Sequence, residues 1–266
     1  MKKIIVAILL VLVICLGSVC FVACGSDLDK TDSEYIIDKG TLICGITLYE
    51  PMNYADADGE MTGFDTEFAQ AVCEKLGIEA KFQVIKWSSK ETELNSMYID
   101  CIWNGFTVTE ERKANIEFSK SYLSNKQCVV AKAANIDQYA SSDSCYGKTA
   151  AAEQGSAGEE SAKTLAGASS VTSVAAQMTA LTEVKSGAVD FAVVDIVLAN
   201  QIVGKGDFQD LAIATNIDLA GEEYAIGFRK GSDMPAKVNA IIDELIADGT
   251  LDAIAAKYGL STQLIK

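Results

Sequence analysis

Apolar positions recur along this chain with two different periods, and the switches between them mark out elements. TLICGI (41–46) is an uninterrupted apolar run of strand length. In GFDTEFAQAVCEKLG (63–77), Phe64, Phe68, Val72 and Leu76 recur every fourth residue, which predicts a helix with one apolar face. Gly77 ends that helix and Asp65 is its expected cap. AKFQVI (80–85) alternates as a strand, KETELNSM (90–97) reads as a short helix, and IDCIW (99–103) as a third strand. This alternation is the grammar of an α/β sheet with parallel strands.

The second half repeats the grammar. KTAAAEQGSAGEES (148–161) is a strand running into a Gly/Ser turn that opens a helix, and EYAIGFRKGS (223–232) returns as a strand. PAKVNAIIDELIADG (235–249) and TLDAIAAKYG (250–259) read as closing helices, with Pro235 suited to a first turn. ELNSMYIDCIW (93–103) and EVKSGAVDFAV (183–193) share Glu, Ser and Asp at an offset of 90 residues. The echo predicts two similar α/β units whose strand ends, at Asn104–Gly105 and at Asp195, occupy equivalent places. Ligands of open α/β sheets bind outside the carboxyl ends of strands, so both places are candidate ligand positions.

The first residues differ in kind. Lys2 and Lys3 precede twenty uncharged residues, and FVAC (21–24) resembles the bacterial lipobox with Ala23 just before Cys24. An export signal (1–23) cut before an acylated Cys24 is expected, followed by a polar tether through residue 33; an uncut membrane-spanning helix is the alternative. Both put the remaining chain outside the cytoplasm. Removing residues 1–23 leaves 20 basic against 37 acidic residues, a net charge of −17. Such a surface repels nucleic acid and anionic headgroups. Cys44, Cys73, Cys101, Cys128 and Cys145 read as small buried hydrophobes. With no histidine in the chain and no CxxC pair, neither a metal site nor a cofactor is expected.

NGFTVTEER (104–112) follows a buried-looking strand with two threonines and an arginine. Arg112 carries a planar fork of donors that matches a carboxylate, Thr107 adds a hydroxyl, and Thr109 can cap the helix that Glu110 opens. A solvated arginine paired with Glu110 or Glu111 is the plainer alternative. In EQGSAG (153–158) the turn into a helix offers backbone N–H groups to an anion, although Gly and Ser open many helices. Asp195, after FAVV, either accepts from an ammonium group or caps the next helix. Tyr49 and Trp87 each sit just beyond a strand, as walls of a site or as core. Together these residues match a zwitterionic α-amino acid.

The segments KGTLICGITLYEPMNYADADGEMTGFDTEFAQAVCEKLG, NGFTVTEERKANIEFSKSY, AEQGSAG, GAVDFAVVD and YAIGFRKGS resemble the extracytoplasmic solute-binding proteins of polar amino-acid ABC importers, in the family's order from about Lys39 to Tyr258. ITLYEPMNY with ELNSMYIDCIWNGFTVT looks closest to a clostridial branch. The resemblance implies a two-lobed periplasmic-binding-protein-like fold of type II, with lobe 1 from 34–121 plus 225–266, lobe 2 from 127–220, and hinge crossings at 122–126 and 221–224. It implies a monomeric, non-enzymatic receptor, lipid-anchored outside the cytoplasmic membrane, that closes on an amino acid and delivers it to a membrane permease. An enzyme on this fold, such as a dehydratase acting on a cyclic amino acid, is the alternative. It would need a general acid or base from Glu50, Glu153 or Asp195.

By position, the resemblance gives Arg112 the ligand carboxylate, aided by the Gly105 backbone and Thr107 from one lobe and by Ser156 and Ala157 from the other. Asp195 would take the α-amino group, and Tyr49 and Trp87 would flank the side chain near Asn104. Some relatives carry an acid just before the first aromatic that contacts a cationic side chain. Here Ile46, Thr47 and Leu48 stand there, which counts against a lysine or arginine ligand unless Glu50 or Glu153 substitutes. Asn104 and Gln154 suggest a polar neutral side chain instead.

Overall fold

The computed structural model describes residues 30–266; the expected signal, Cys24 and most of the tether lie outside them. The first unit runs α1 (Asp32–Lys39), β1 (Thr41–Ile46), a hairpin β2 (Tyr54–Ala55) and β3 (Met61–Thr62), α2 (Phe64–Leu76), β4 (Glu79–Val84), α3 (Lys90–Asn95), β5 (Cys101–Ile102), α4 (Glu110–Asn115) and β6 (Ile116–Phe118). A ten-residue strand, β7 (Leu123–Lys132), leads to β8 (Ala150–Glu153), α5 (Ala157–Ala166), β9 (Val171–Val174), α6 (Gln177–Ser186), β10 (Phe191–Asp195), α7 (Ile196–Ile202) and β11 (Leu211–Ile213). The chain returns through β12 (Gly221–Tyr224) and β13 (Gly227–Arg229) to α8 (Met234–Ala247) and α9 (Thr250–Lys257).

Two sheets result, one ordered β4-β1-β5-β13-β6 and the other β11-β7-β10-β8-β9, with β12 paired to β7. β1 runs parallel to β4 and β5, and β8 parallel to β9 and β10, as expected. EYAIGFRKGS is two strands rather than one: β12 pairs antiparallel with β7, then β13 joins β5 and β6 in the other sheet. The break falls at Ala225 and Ile226, whose N–H groups go to Phe106 O (3.1 Å) and Ser119 Oγ (2.9 Å). The chain therefore passes between the sheets at two adjacent, mutually paired strands.

The internal echo is structural. Glu93 O accepts from Tyr98 N (3.0 Å) and Ser96 Oγ (3.1 Å), and Glu183 O from Ala188 N (3.0 Å) and Ser186 Oγ (2.9 Å). Asp100 Oδ2 accepts the N–H of Ile43, and Asp190 Oδ2 that of Thr149, each at 2.8 Å. In both units the aspartate fastens the neighbouring parallel strand to the turn that ends a helix.

Three expectations shift. Asp65 is not a cap: the cap position is Gly63, and the first-turn N–H groups of Phe64 and Asp65 reach Pro51 O (2.8 Å) and Met52 O (2.9 Å). Backbone carbonyls thus satisfy the helix start, and the Asp65 carboxylate turns into the core. The third strand shortens to two residues, although Asp100 N and Trp103 N still bond to β1 carbonyls at Ile43 (2.8 Å) and Gly45 (3.3 Å). Order begins inside the expected tether, because Thr31 caps α1 in a capping box and Ser33 bonds to both carboxylate oxygens of Asp233. The five cysteines are buried free thiols, with Cys44 and Cys101 neighbours in register, Sγ to Sγ 3.6 Å.

Candidate functional site

The carboxyl ends of β1, β4 and β5 face those of β8 and β10 across a narrow cleft. The first sheet contributes Tyr49, Trp87, Asn104, Gly105, Thr107 and Arg112; the second contributes Glu153, Ser156, Ala157, Gln177 and Asp195. Nine of the ten residues expected from the sequence thus meet in one place.

On the first wall, Gly105 has φ +57°, and a Cβ there would lie 2.9 Å from both the Tyr49 and Tyr224 rings. Only glycine fits this turn. Its N–H is committed to Asp65 Oδ2 (2.7 Å), which also accepts from Tyr122 Oη (3.0 Å). The expected Gly105 N–H donor is therefore spent inside the core. Burial pushes the Asp65 carboxyl up to about 7. Asn104 lines the cleft, but its amide is consumed too: Oδ1 accepts from Thr47 N (3.0 Å) and Thr47 Oγ1 (2.9 Å), and Nδ2 donates to Thr47 O (2.9 Å). Tyr49 and Tyr224 join through their hydroxyls at 3.0 Å.

Arg112 stands where α4 begins, and Thr109 caps that helix by accepting Arg112 N (3.1 Å). Glu110 pairs with Lys113 instead, at 2.7 Å, so the solvated-pair alternative for Arg112 is not realised. The guanidinium lies 4.7 Å over the Phe106 ring and donates to Thr107 O (2.6 Å) and, across the cleft, to Gly155 O (3.3 Å). These three contacts fix the plane of its donor fork. Burial lowers its proton affinity below the ordinary arginine value, opposed by the Glu222 charge. Lys90 reaches the same Gly155 carbonyl at 3.0 Å. Its ammonium is lowered to about 8 by burial and by Arg112.

On the second wall, Ser156 caps α5 by accepting Glu159 N (3.0 Å), which leaves the N–H of Ala157 in the first turn without an intrahelical acceptor. Asp195 occupies the cap position of α7, but its side chain makes no cap bond. Its Oδ1 accepts from Asn125 Nδ2 (2.8 Å) and Gln127 Nε2 (2.6 Å), and its Oδ2 accepts from Gln177 Nε2. The Tyr224 hydroxyl is a fourth hydrogen-bonding neighbour of this carboxylate. Burial raises the Asp195 carboxyl while these amides work against it. Glu222, on β12, shares Asn125 and Gln127 and is pushed up to about 7 by burial and the Asp195 charge. The Thr107 hydroxyl helps hold Glu222 ionised.

Gln154 is the exception among the expected residues. It is exposed in the turn just beyond β8 and does not line the cleft, whereas its predecessor, the last residue of β8, does. That predecessor, Glu153, is 3% exposed, and its Oε1 has no hydrogen-bond partner. Burial and then the Asp195 charge push its carboxyl up to about 8. From sequence Glu153 stood as a substitute acid and as a candidate general acid or base, not among the residues expected to line the cleft. Gln177 was missed; nothing local marks the first residue of α6 as facing Asp195. Glu50, the other substitute acid, is exposed and outside the cleft.

Residues 42–261 match the family described as bacterial extracellular solute-binding proteins, family 3. The chain is 30% identical over 223 residues to the L-cystine-binding protein TcyJ of Escherichia coli K12, covering 83% of each. It is 31% identical over 256 residues to the arginine-binding extracellular protein ArtP of Bacillus subtilis, covering 94% of this chain and 96% of that one. Among solved structures, a Streptococcus pneumoniae ABC uptake transporter substrate-binding protein with bound histidine superposes with a TM-score of 0.79 at 30% identity, covering 86% of this chain and 96% of that one.

Proposed function

The chain belongs to the bacterial extracellular solute-binding proteins, family 3, and from that premise we propose that it is the extracytoplasmic receptor of an amino-acid ABC importer. It captures an amino acid between two lobes and delivers it to a membrane permease. Lobe 1 comprises 34–121 with 225–266, extended back to Asp32 by α1, and lobe 2 comprises 127–220. The paired strands at 122–126 and 221–224 are the hinge. Cys24 carries the lipid anchor that holds a monomeric receptor at the outer face of the membrane, and the sequence sides with a clostridial branch of the family.

The observation that carries this reading is the opposition of Arg112 and Asp195 across one small cleft, with Tyr49 and Trp87 beside them. Arg112 takes the ligand carboxylate, with the Ser156–Ala157 helix start completing its donors; the Thr107 hydroxyl, expected to assist, serves Glu222 instead. The Asp195 carboxylate, held by amide donors and facing the cleft, takes the α-ammonium group. The fold relatives named above are binding proteins, and a receptor releases its ligand unchanged. A ligand recovered as a dehydrated product would favour the dehydratase alternative.

The test is a thermal-shift screen of the purified chain, unfolded and refolded to strip carried-over ligand, against the common L-amino acids. Binding to the native state alone raises the melting temperature. A rise with one or a few amino acids is expected; none with any of them would overturn the assignment.

A further inference from the structure

An α-amino acid brings one carboxylate and one ammonium group, which Arg112 and Asp195 receive. The cleft holds one more ionisable group than that ligand accounts for. Glu153 lines it, is 3% exposed, and keeps a carboxyl oxygen sealed from solvent without a hydrogen-bond partner. Leaving a buried carboxyl oxygen unpaired is unfavourable, and a donor in the cleft offsets that cost.

The protein's own cations do not pair with it. Among the described residues no lysine or arginine nitrogen lies within ion-pair distance of Glu153. Lys90 is the nearest by its electrostatic influence, but its ammonium donates to Trp87 O (3.3 Å) and Gly155 O (3.0 Å). Arg112 donates to Thr107 O and Gly155 O and makes no ion pair with Glu153. The groups that pointed to a neutral polar ligand side chain fall away, because the Asn104 amide is spent on Thr47 and Gln154 is outside the cleft.

We propose that Glu153 selects the ligand: the site takes an α-amino acid whose side chain carries a second, cationic nitrogen, and the Glu153 carboxylate receives that nitrogen. The inference rests on the amino-acid reading above. The acid that the sequence finds missing after β1 is thus supplied from the opposite wall, by the last residue of β8. Asp195 and Glu153 then stand as two anionic sites served by two nitrogens of one ligand. Burial and the Asp195 charge favour a protonated Glu153 before the ligand arrives, and an incoming cation supplies the counter-charge that reverses this.

The test is titration calorimetry on the refolded chain with pairs that share a shape and differ in charge. L-Arginine is set against L-citrulline and L-lysine against L-norleucine, with L-cystine, which carries a second ammonium group, added. The expected result is that at least one cation-bearing ligand binds about 10- to 100-fold tighter than its neutral partner or than L-methionine. Glu153→Gln should collapse that ratio toward one by weakening the charged ligand alone. A merely structural role for Glu153 would weaken charged and neutral ligands together and leave the ratio intact, which overturns the proposal. Tighter binding of the neutral partners by the unaltered chain overturns it as well, while leaving the amino-acid reading standing. If no amino acid binds at all, that reading fails first and this one with it.

Discussion

Arg112 and Asp195 show what a residue type reveals and what it conceals. That an arginine after a strand end should serve a carboxylate follows from the geometry of its donors. That Phe106, Thr107 O and Gly155 O would hold its plane depends on contacts between distant segments. Arg112→Met should lower amino-acid affinity at least about 100-fold, the usual scale for removing one partner of a buried charged pair. Calorimetry measures it, and unchanged affinity would remove Arg112 from the site. Asp195→Asn presents an amide to Asn125, Gln127 and Gln177, all amide donors, and removes a charge from the cleft. If Asp195 takes the ammonium group as proposed, this change weakens the amino acid more than its deaminated analogue; equal losses would make Asp195 a scaffold for β7 and α6 only. Asn104 is the contrary case, a polar residue at the right strand end whose amide serves the fold.

At the scale of elements, most of the fold was legible because each helix and strand carries its own period and stop. The 90-residue echo was legible as well, and its meaning lies in matched hydrogen bonds rather than in the shared letters. What could not be read was competition between segments. Asp65 lost the capping role because carbonyls of 51–52 took the first-turn N–H groups, and EYAIGFRKGS was divided because two sheets claim its halves. The echo also exposes a strained position. Gly187, at φ +84°, corresponds to Met97, at φ +61°, the non-glycine residue with positive φ among the described ones. Met97 is 43% exposed, so little packing is lost by trimming it. Met97→Gly should stabilise the chain by up to about 1 kcal/mol, strain relief exceeding the entropy that glycine adds to the unfolded chain. Chemical denaturation reads this directly, and a loss of stability would mean that the Met97 side chain packs in a way its exposure conceals.

For the whole molecule, the decisive feature is that acids are gathered where the two sheets meet. Asp65 lies beneath the turn at Gly105, Glu222 is on a strand that passes between the sheets, and Asp195 and Glu153 face the cleft. Burial raises all four, Asp65 and Glu222 to about 7 and Glu153 to about 8. Unfolded, the same groups titrate near 4. A carboxyl with a raised folded-state value binds its proton more tightly when folded, so its stabilising contribution is full below about pH 4 and is lost as pH rises through 7 to 8. Acids held low in the folded state, Glu159 and Asp233 among them, act oppositely and lose their contribution only as pH falls below the ordinary carboxylate range. The ligand-free protein should therefore be most stable between about pH 4 and 6 and should melt progressively lower from pH 6 to 8.5. Asp65→Asn and Glu222→Gln should each flatten that slope. A melting temperature that rises over the same interval would mean that the buried acids are ionised and paired in the folded protein. The slope links the residues to the molecule: a cleft between sheets of an acidic chain stores buried carboxyls, and on the proposed reading a cation-bearing ligand offsets their cost where Arg112 and Asp195 hold its backbone groups.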